Sequence, residues 1–204
     1  MLEEKIIVKP NFVDGGQYTL KEEDDHYIYI GRLSAEKGIT TLLQTWRTLP
    51  DNFKLKVVGD GPLGETLQKE YKDLANISFL GRLYAKDAYD VLSKAKCLIF
   101  PSEWYETFGR VVIEAFSQST PVIASRIGGI GEIVDENKNG YLFSPGNIVE
   151  LKTKIQEMDE NIKKRLQMGK NGRHKYEKYY SPQSNYEKMM EVFQIAIGRN
   201  DVSK

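Results

Sequence analysis

Glu106 and Glu114 stand eight positions apart in E-T-F-G-R-V-V-I-E, with Thr107, Phe108 and Gly109 in the turn between them. The stretch V-V-I-E-A-F is otherwise fit for a protein core. An ionised carboxylate buried there is costly unless it is paired or faces a wet cleft, so Glu114 must have a partner. Arg110, one helical turn earlier, offers a surface pair worth a few tenths of a kcal/mol.

Four more loops carry residues suited to anions or polyols. In G-R-L-S-A-E-K-G (31–38), Arg32 and Lys37 fall at the start of an expected helix. The macrodipole is positive there and cations are unwelcome unless an anion lies between them. Gly31 and Gly38 permit close backbone approach, and Glu36 is a competing partner for either base. In V-V-G-D-G-P-L, Gly59 and Gly61 flank Asp60 and either cradle a phosphate or make the turn. In L-G-R-L, Gly81 and Arg82 either surround a nucleobase or present a solvated charge. The loop R-I-G-G-I-G-E-I-V (126–134) is expected to aim its amides at the same edge.

These loops need elements to hold them. Short apolar runs at 26–30, 55–58, 77–80, 97–100, 121–124 and 140–143 alternate with helix-like spacing at about 36–48, 62–74, 85–94, 109–118 and 131–135. Near-continuous apolar strands separated by helices predict a mainly parallel sheet covered on both faces, a doubly wound Rossmann-like α/β fold. Ligands of such sheets bind beyond the carboxyl ends of the strands, where all five loops fall. A helical tail follows, at 147–158, 159–178 and 182–198, with Tyr176, Tyr179, Tyr180, Tyr186, Met189, Met190, Val192 and Phe193 as its apolar members. These are expected to dock on the sheet domain, with a partner-domain contact as the alternative.

Across 204 residues, lysine plus arginine balance aspartate plus glutamate at 29 each, so the chain offers no general attraction to nucleic acid. The single cysteine, Cys97, lies in K-C-L-I-F and reads as a buried thiol in a reducing cytosol. No secretory signal or membrane-spanning run is present in the sequence given. His26 and His174 carry no pattern that points to chemistry.

The ordered motifs I-V-K-P-N-F-V-D, G-R-L-S-A-E-K-G, V-V-G-D-G-P, F-L-G-R-L, P-S-E-W-Y-E-T-F-G-R-V-V-I-E-A-F, P-V-I-A-S-R-I-G-G and E-I-V-D-E-N-K-N-G resemble the C-terminal domain of the retaining glycosyltransferases of family 4. These enzymes are built from two facing Rossmann domains, and the similarity runs from about residue 7 to about 180. The resemblance implies transfer of a sugar, as by a hexosyltransferase, from a nucleotide diphosphate sugar to an acceptor hydroxyl in polysaccharide or glycoconjugate synthesis. It makes Arg32, Lys37 and Glu106 catalytic. Gly31, Gly59, Gly61, Gly81, Arg82, Thr107, Phe108, Gly109 and Glu114 become nucleotide-sugar-binding residues, with Glu114 accepting from the ribose hydroxyls, as a vicinal diol can satisfy a carboxylate without a cation. Arg110 is then only a neighbour.

The resemblance implies no metal and no cofactor beyond a UDP- or GDP-linked donor. It implies a cytoplasmic location, with peripheral association at the inner membrane face as an option for the full-length enzyme. Residues 1–180 are expected to form the donor-binding domain, and 181–204 a helix and tail that pack toward an N-terminal acceptor-binding half lying outside this sequence. Two positions depart from the pattern: Ser119 and Gly131 stand where the family has glycine and proline. The alternatives are a non-catalytic nucleotide-sugar-binding module and a nucleotide-sugar epimerase-like enzyme.

Overall fold

The computed structural model describes residues 6–16 and 23–201. The outer parts of both expected domain units, residues 1–5 and 202–204, and the segment 17–22 lie outside the described residues. Six parallel strands form one sheet: β1 Tyr27–Ile30, β2 Leu55–Val58, β3 Ile77–Gly81, β4 Cys97–Phe100, β5 Val122–Ser125 and β6 Gly140–Phe143. The helices are α1 Ile39–Trp46, α2 Gly64–Glu70, α3 Ala85–Ser93, α4 Arg110–Ser117, α5 Ile130–Ile133, α6 Ile148–Glu160, α7 Ile162–Tyr179 and α8 Pro182–Asp201.

Strand order is β3-β2-β1-β4-β5-β6, so winding starts at β1, runs outward, and starts again at β4 in the other direction. The registered pairs of β1 with β4 are Tyr27↔Cys97 and Ile28↔Leu98, both in the first half of β1. Beyond them α1 and α4 lie on opposite faces of the sheet, the arrangement in which a doubly wound sheet opens a crevice.

Side chains alternate across the strands, as the two-residue period of a strand dictates. Tyr27, Tyr29, Val57 and Ile99 pack with Leu42, Trp46, Leu151 and Ile155 of α1 and α6. Ile28, Leu98, Val122 and Ala124 pack with Val112, Phe116, Ile130 and Tyr176 on the opposite face. Both faces are covered, which is why the strands read as unbroken apolar runs. Each large side chain buried this way stabilises by ~1.5–3 kcal/mol.

Caps set the tail boundaries: the side chains of Asn147 and Asn161 accept from the amides of Glu150 and Lys164 at 3.0 and 2.9 Å, as N-cap asparagines do. The expected helix 36–48 is instead a 3-10 turn, Ala35–Lys37, followed by α1. Gly38 breaks it with φ 67°, and a Cβ there would overlap the Pro101 carbonyl. Ser119 leaves α4 at φ 58°, a left-handed conformation that costs a residue with a Cβ ~1–2 kcal/mol.

The tail divides. Tyr176 and Tyr180 are buried as expected, whereas Tyr179, Tyr186, Met189, Met190 and Phe193 remain exposed. α7 lies along α4: a Cβ on Gly172 would overlap Phe116, one on Gly169 would overlap the Ser119 carbonyl, and the Arg173 guanidinium donates to the Ser117 carbonyl.

Candidate active site

The loops after β1 and β4 meet in the crevice. Gly38 lies against Pro101, and the Glu103 amide donates to the Glu36 carbonyl at 3.0 Å. This contact brings together two side chains 69 residues apart, as the Lys37 ammonium donates to Glu106 Oε1. The buried Ser102 hydroxyl lies 3.0 Å from the same oxygen. Among the described residues, Glu106 Oε2 has no hydrogen-bond partner. Glu36 does not compete for Lys37: its carboxylate accepts from Ser34 Oγ at 2.6 Å, which holds its pKa below the ordinary value. Tyr29, Gly31, Lys37, Ser102, Glu106, Gly109 and Arg110 line a cavity of about 190 Å³.

α4 points its first turn at this cavity. Gly109, at φ 64°, caps the helix where Ile130 leaves no room for a Cβ. The amides of Phe108, Gly109, Arg110 and Val111 find no acceptor among the described residues. Unpaired amides at the positive end of a helix suit an anion. The Phe108 ring faces away, edge-on to Tyr180 at 6.0 Å. Thr107 is exposed.

Glu114 sits on the second turn of α4, 19 % exposed, and its partner is Arg110, whose Nε donates to Oε1 at 2.9 Å. Arg110, expected only as a neighbour, is bonded to the carboxylate here: the i, i+4 pair occupies Oε1. Burial holds the Glu114 carboxyl above its usual range, and the Arg110 guanidinium pulls it back down. Glu114 also faces Tyr89, whose hydroxyl is pushed up by burial first and by the Glu114 charge second.

The remaining predicted residues cluster beside this centre. Gly31, Arg32, Gly59 and Arg82 line an adjoining cavity of about 350 Å³. The amides of Gly31 and Gly59 are spent within the fold, on the Val58 and Gly81 carbonyls at 3.0 and 2.8 Å. A Cβ on Gly59 would overlap the Gly31 carbonyl, and one on Gly61 would crowd the Leu33 backbone. These glycines let two loops pack, and Gly31 and Gly59 have no amide to offer a ligand. The loop after β5 behaves likewise, because the Gly129 amide donates to the Glu106 carbonyl at 2.8 Å. Through that bond the loop braces the backbone of Glu106 from behind. Gly81 stands at φ 65° with open space beyond it.

Sequence reasoning missed Tyr29, Ser102 and Tyr89, which carry no motif of their own. Tyr29 ends on the Arg32 carbonyl at 2.7 Å and so fixes the first loop. His26 is buried at the opposite edge, bonded to the Val91 carbonyl, its pKa lowered to about 4 by burial. Cys97 is buried and free.

A doubly wound sheet with a cation–carboxylate pair and an open helix start at its switch point has the form of a ligand-binding α/β domain. The family model of the group 1 glycosyl transferases matches residues 14–175, and the chain belongs to that family. It is 34% identical over 155 residues to sulfoquinovosyl transferase SQD2 of Arabidopsis thaliana, covering 74% of this chain and 30% of that protein. The crystal structure of Anabaena HepE in complex with UDP superposes with a TM-score of 0.77 at 25% identity, covering 84% of this chain and 49% of that one. The C-terminal domain of a group 1 glycosyl transferase from Francisella tularensis shares the fold, with a TM-score of 0.68 at 21% identity over 79% of this chain and 88% of that domain. The chain thus spans 30% of the first of these proteins and 49% of the second. Among the described residues no helix is long and apolar enough to cross a membrane.

Proposed function

We propose that this chain is the donor-binding half of a retaining glycosyltransferase, which moves a hexose from a UDP- or GDP-linked donor to an acceptor hydroxyl in polysaccharide or glycoconjugate synthesis. The observation that carries the reading is the Lys37–Glu106 pair at the switch-point crevice, beside the unpaired amides that open α4. As the glycosidic bond breaks, charge builds on the departing diphosphate. A fixed ammonium and a helix N-terminus aimed there stabilise that charge more than the ground state.

In this reading Lys37 and Arg32 meet the diphosphate, with no metal required of the chain. Glu106 holds the Lys37 ammonium through Oε1 and offers Oε2 to a sugar hydroxyl. Glu114 takes the ribose hydroxyls, and Gly81 and Arg82 border the base. The acceptor is bound by a second domain, a reading supported by the share of the relatives that the chain spans and by exposed Tyr186, Met190, Phe193 and Ile197 on α8. A cytoplasmic enzyme, at the inner membrane face when its acceptor is a lipid, fits this assignment.

Calorimetric titration of the folded chain with uridine, guanosine and adenosine diphosphates tests the site: heat with at least one is expected, and none with any of them refutes it. Glu114→Ala is expected to weaken nucleotide binding by ~1–3 kcal/mol; an unchanged affinity removes the ribose role.

A further inference from the structure

Arg110 occupies an unusual place for a residue whose side chain, among the described residues, bonds only to Glu114 one helical turn away. It lines the small cavity that holds Lys37, Glu106 and Gly109. It also lines a second, larger cavity of about 910 Å³, together with Leu83, Tyr89, Asp14 and Gln118. Its side chain is 73% exposed and its bond to Glu114 uses Nε alone. The two terminal nitrogens have no acceptor among the described residues. The guanidinium therefore stands at the junction of the two cavities with most of its donors unspent.

Charge accounting gives that position a meaning. Lys37 is already paired, because its ammonium rests on Glu106. A ligand carrying two phosphates calls for more positive charge than Lys37 can supply. Arg110 carries one, held against a carboxylate that the proposed ligand has its own use for. A vicinal diol that takes both oxygens of Glu114 competes with Arg110 Nε for Oε1.

Resting on the donor-site reading above, we propose that Arg110 is an exchangeable cation: it satisfies Glu114 while the site is empty, and when ribose hydroxyls take the carboxylate it turns to the diphosphate. The exchange couples the two parts of the ligand. A nucleoside alone strips Arg110 of its partner and gives nothing back. A nucleoside diphosphate replaces that partner with phosphate oxygens, and guanidinium matches phosphate in a bidentate fork. The residue would thereby make the site favour diphosphates over bare nucleosides by more than phosphate contacts to Lys37 and Arg32 alone would give.

The test compares uridine with uridine diphosphate, and guanosine with guanosine diphosphate, by calorimetric titration of the wild-type chain and of Arg110→Ala. Arg110→Lys, which keeps the charge without the fork, guards against a folding defect. In Arg110→Ala the diphosphate is expected to lose at least about tenfold in affinity, while the nucleoside holds or tightens; Arg110→Lys falls between. Equal weakening of nucleoside and diphosphate would show that Arg110 serves only to place Glu114, and overturns the exchange. Unchanged affinity for both overturns it as well. If the wild-type chain binds no diphosphate, the donor-site reading fails first, and the two failures are told apart by that single titration.

Discussion

The loops after β1 and β4 and the loops after β2 and β5 leave the same edge of the sheet and share a glycine-rich, polar composition, yet they are built for different ends. The first pair displays its chemistry: Lys37 meets Glu106, and the loop after β4 delivers the open amides of α4. The second pair spends several of its amides on neighbouring backbone. Gly59 donates to Gly81 and Gly129 to Glu106, and the missing side chains of Gly59 and Gly128 leave room for the carbonyls of Gly31 and Glu106. A glycine at a sheet edge can therefore mark a ligand's approach or another loop's approach, and only the bookkeeping of donors separates the two.

The comparison breaks most visibly at Gly59. Its φ of 133° and the Gly31 carbonyl beside it leave no place for a methyl group. Gly59→Ala is expected to lower unfolding stability by about 4 kcal/mol in a urea titration. A loss below ~1 kcal/mol would show that the loop after β2 is no brace. Lys37→Ala should do the reverse. In an enzyme containing this domain, turnover should fall about 100-fold, with stability changed by no more than ~1 kcal/mol. A loss seen in donor affinity alone contradicts a role in stabilising the departing charge.

The smallest effect concerns Glu114, where display and burial coincide. Burial raises its pKa in the folded chain above that of the unfolded chain. Stability is then full at low pH and declines as pH rises through the titration of the folded carboxyl. Glu114→Gln has no proton to lose, so its melting temperature relative to the wild type should climb between pH 4 and pH 7. A gap that stays constant over that range would mean that Arg110 fully offsets the burial.

Much of the fold was legible because both faces of the sheet are covered: the runs at 55–58, 97–100 and 140–143 match β2, β4 and β6 residue for residue. In the tail, the asparagine caps put the start of α7 at Ile162, three residues beyond the expected 159. The split at Gly38 was not legible, since its cause, the Pro101 carbonyl, lies 63 residues away in the chain. The same holds in the site. Lys37 and Glu106 could each be singled out by residue type, but their pairing depends on how two loops dock. Arg110 was underrated for a related reason: spacing predicts its bond to Glu114, whereas its position between two cavities exists only in three dimensions. The split fate of the tail tyrosines also escaped periodicity, because Tyr179 and Tyr180 are adjacent and only the docking of α7 decides which one is covered.

The seam between α7 and α4 has a mechanical consequence. With Gly169 and Gly172 drawing one helix hard against the other, and Arg173 tied to the Ser117 carbonyl, the helix that presents Gly109, Arg110 and Glu114 has a stiff anvil behind it and no room to recoil. Any adjustment to an arriving molecule must fall to the rotamers and flanking loops at its front, so the rear of the domain serves as the fixed frame against which they move.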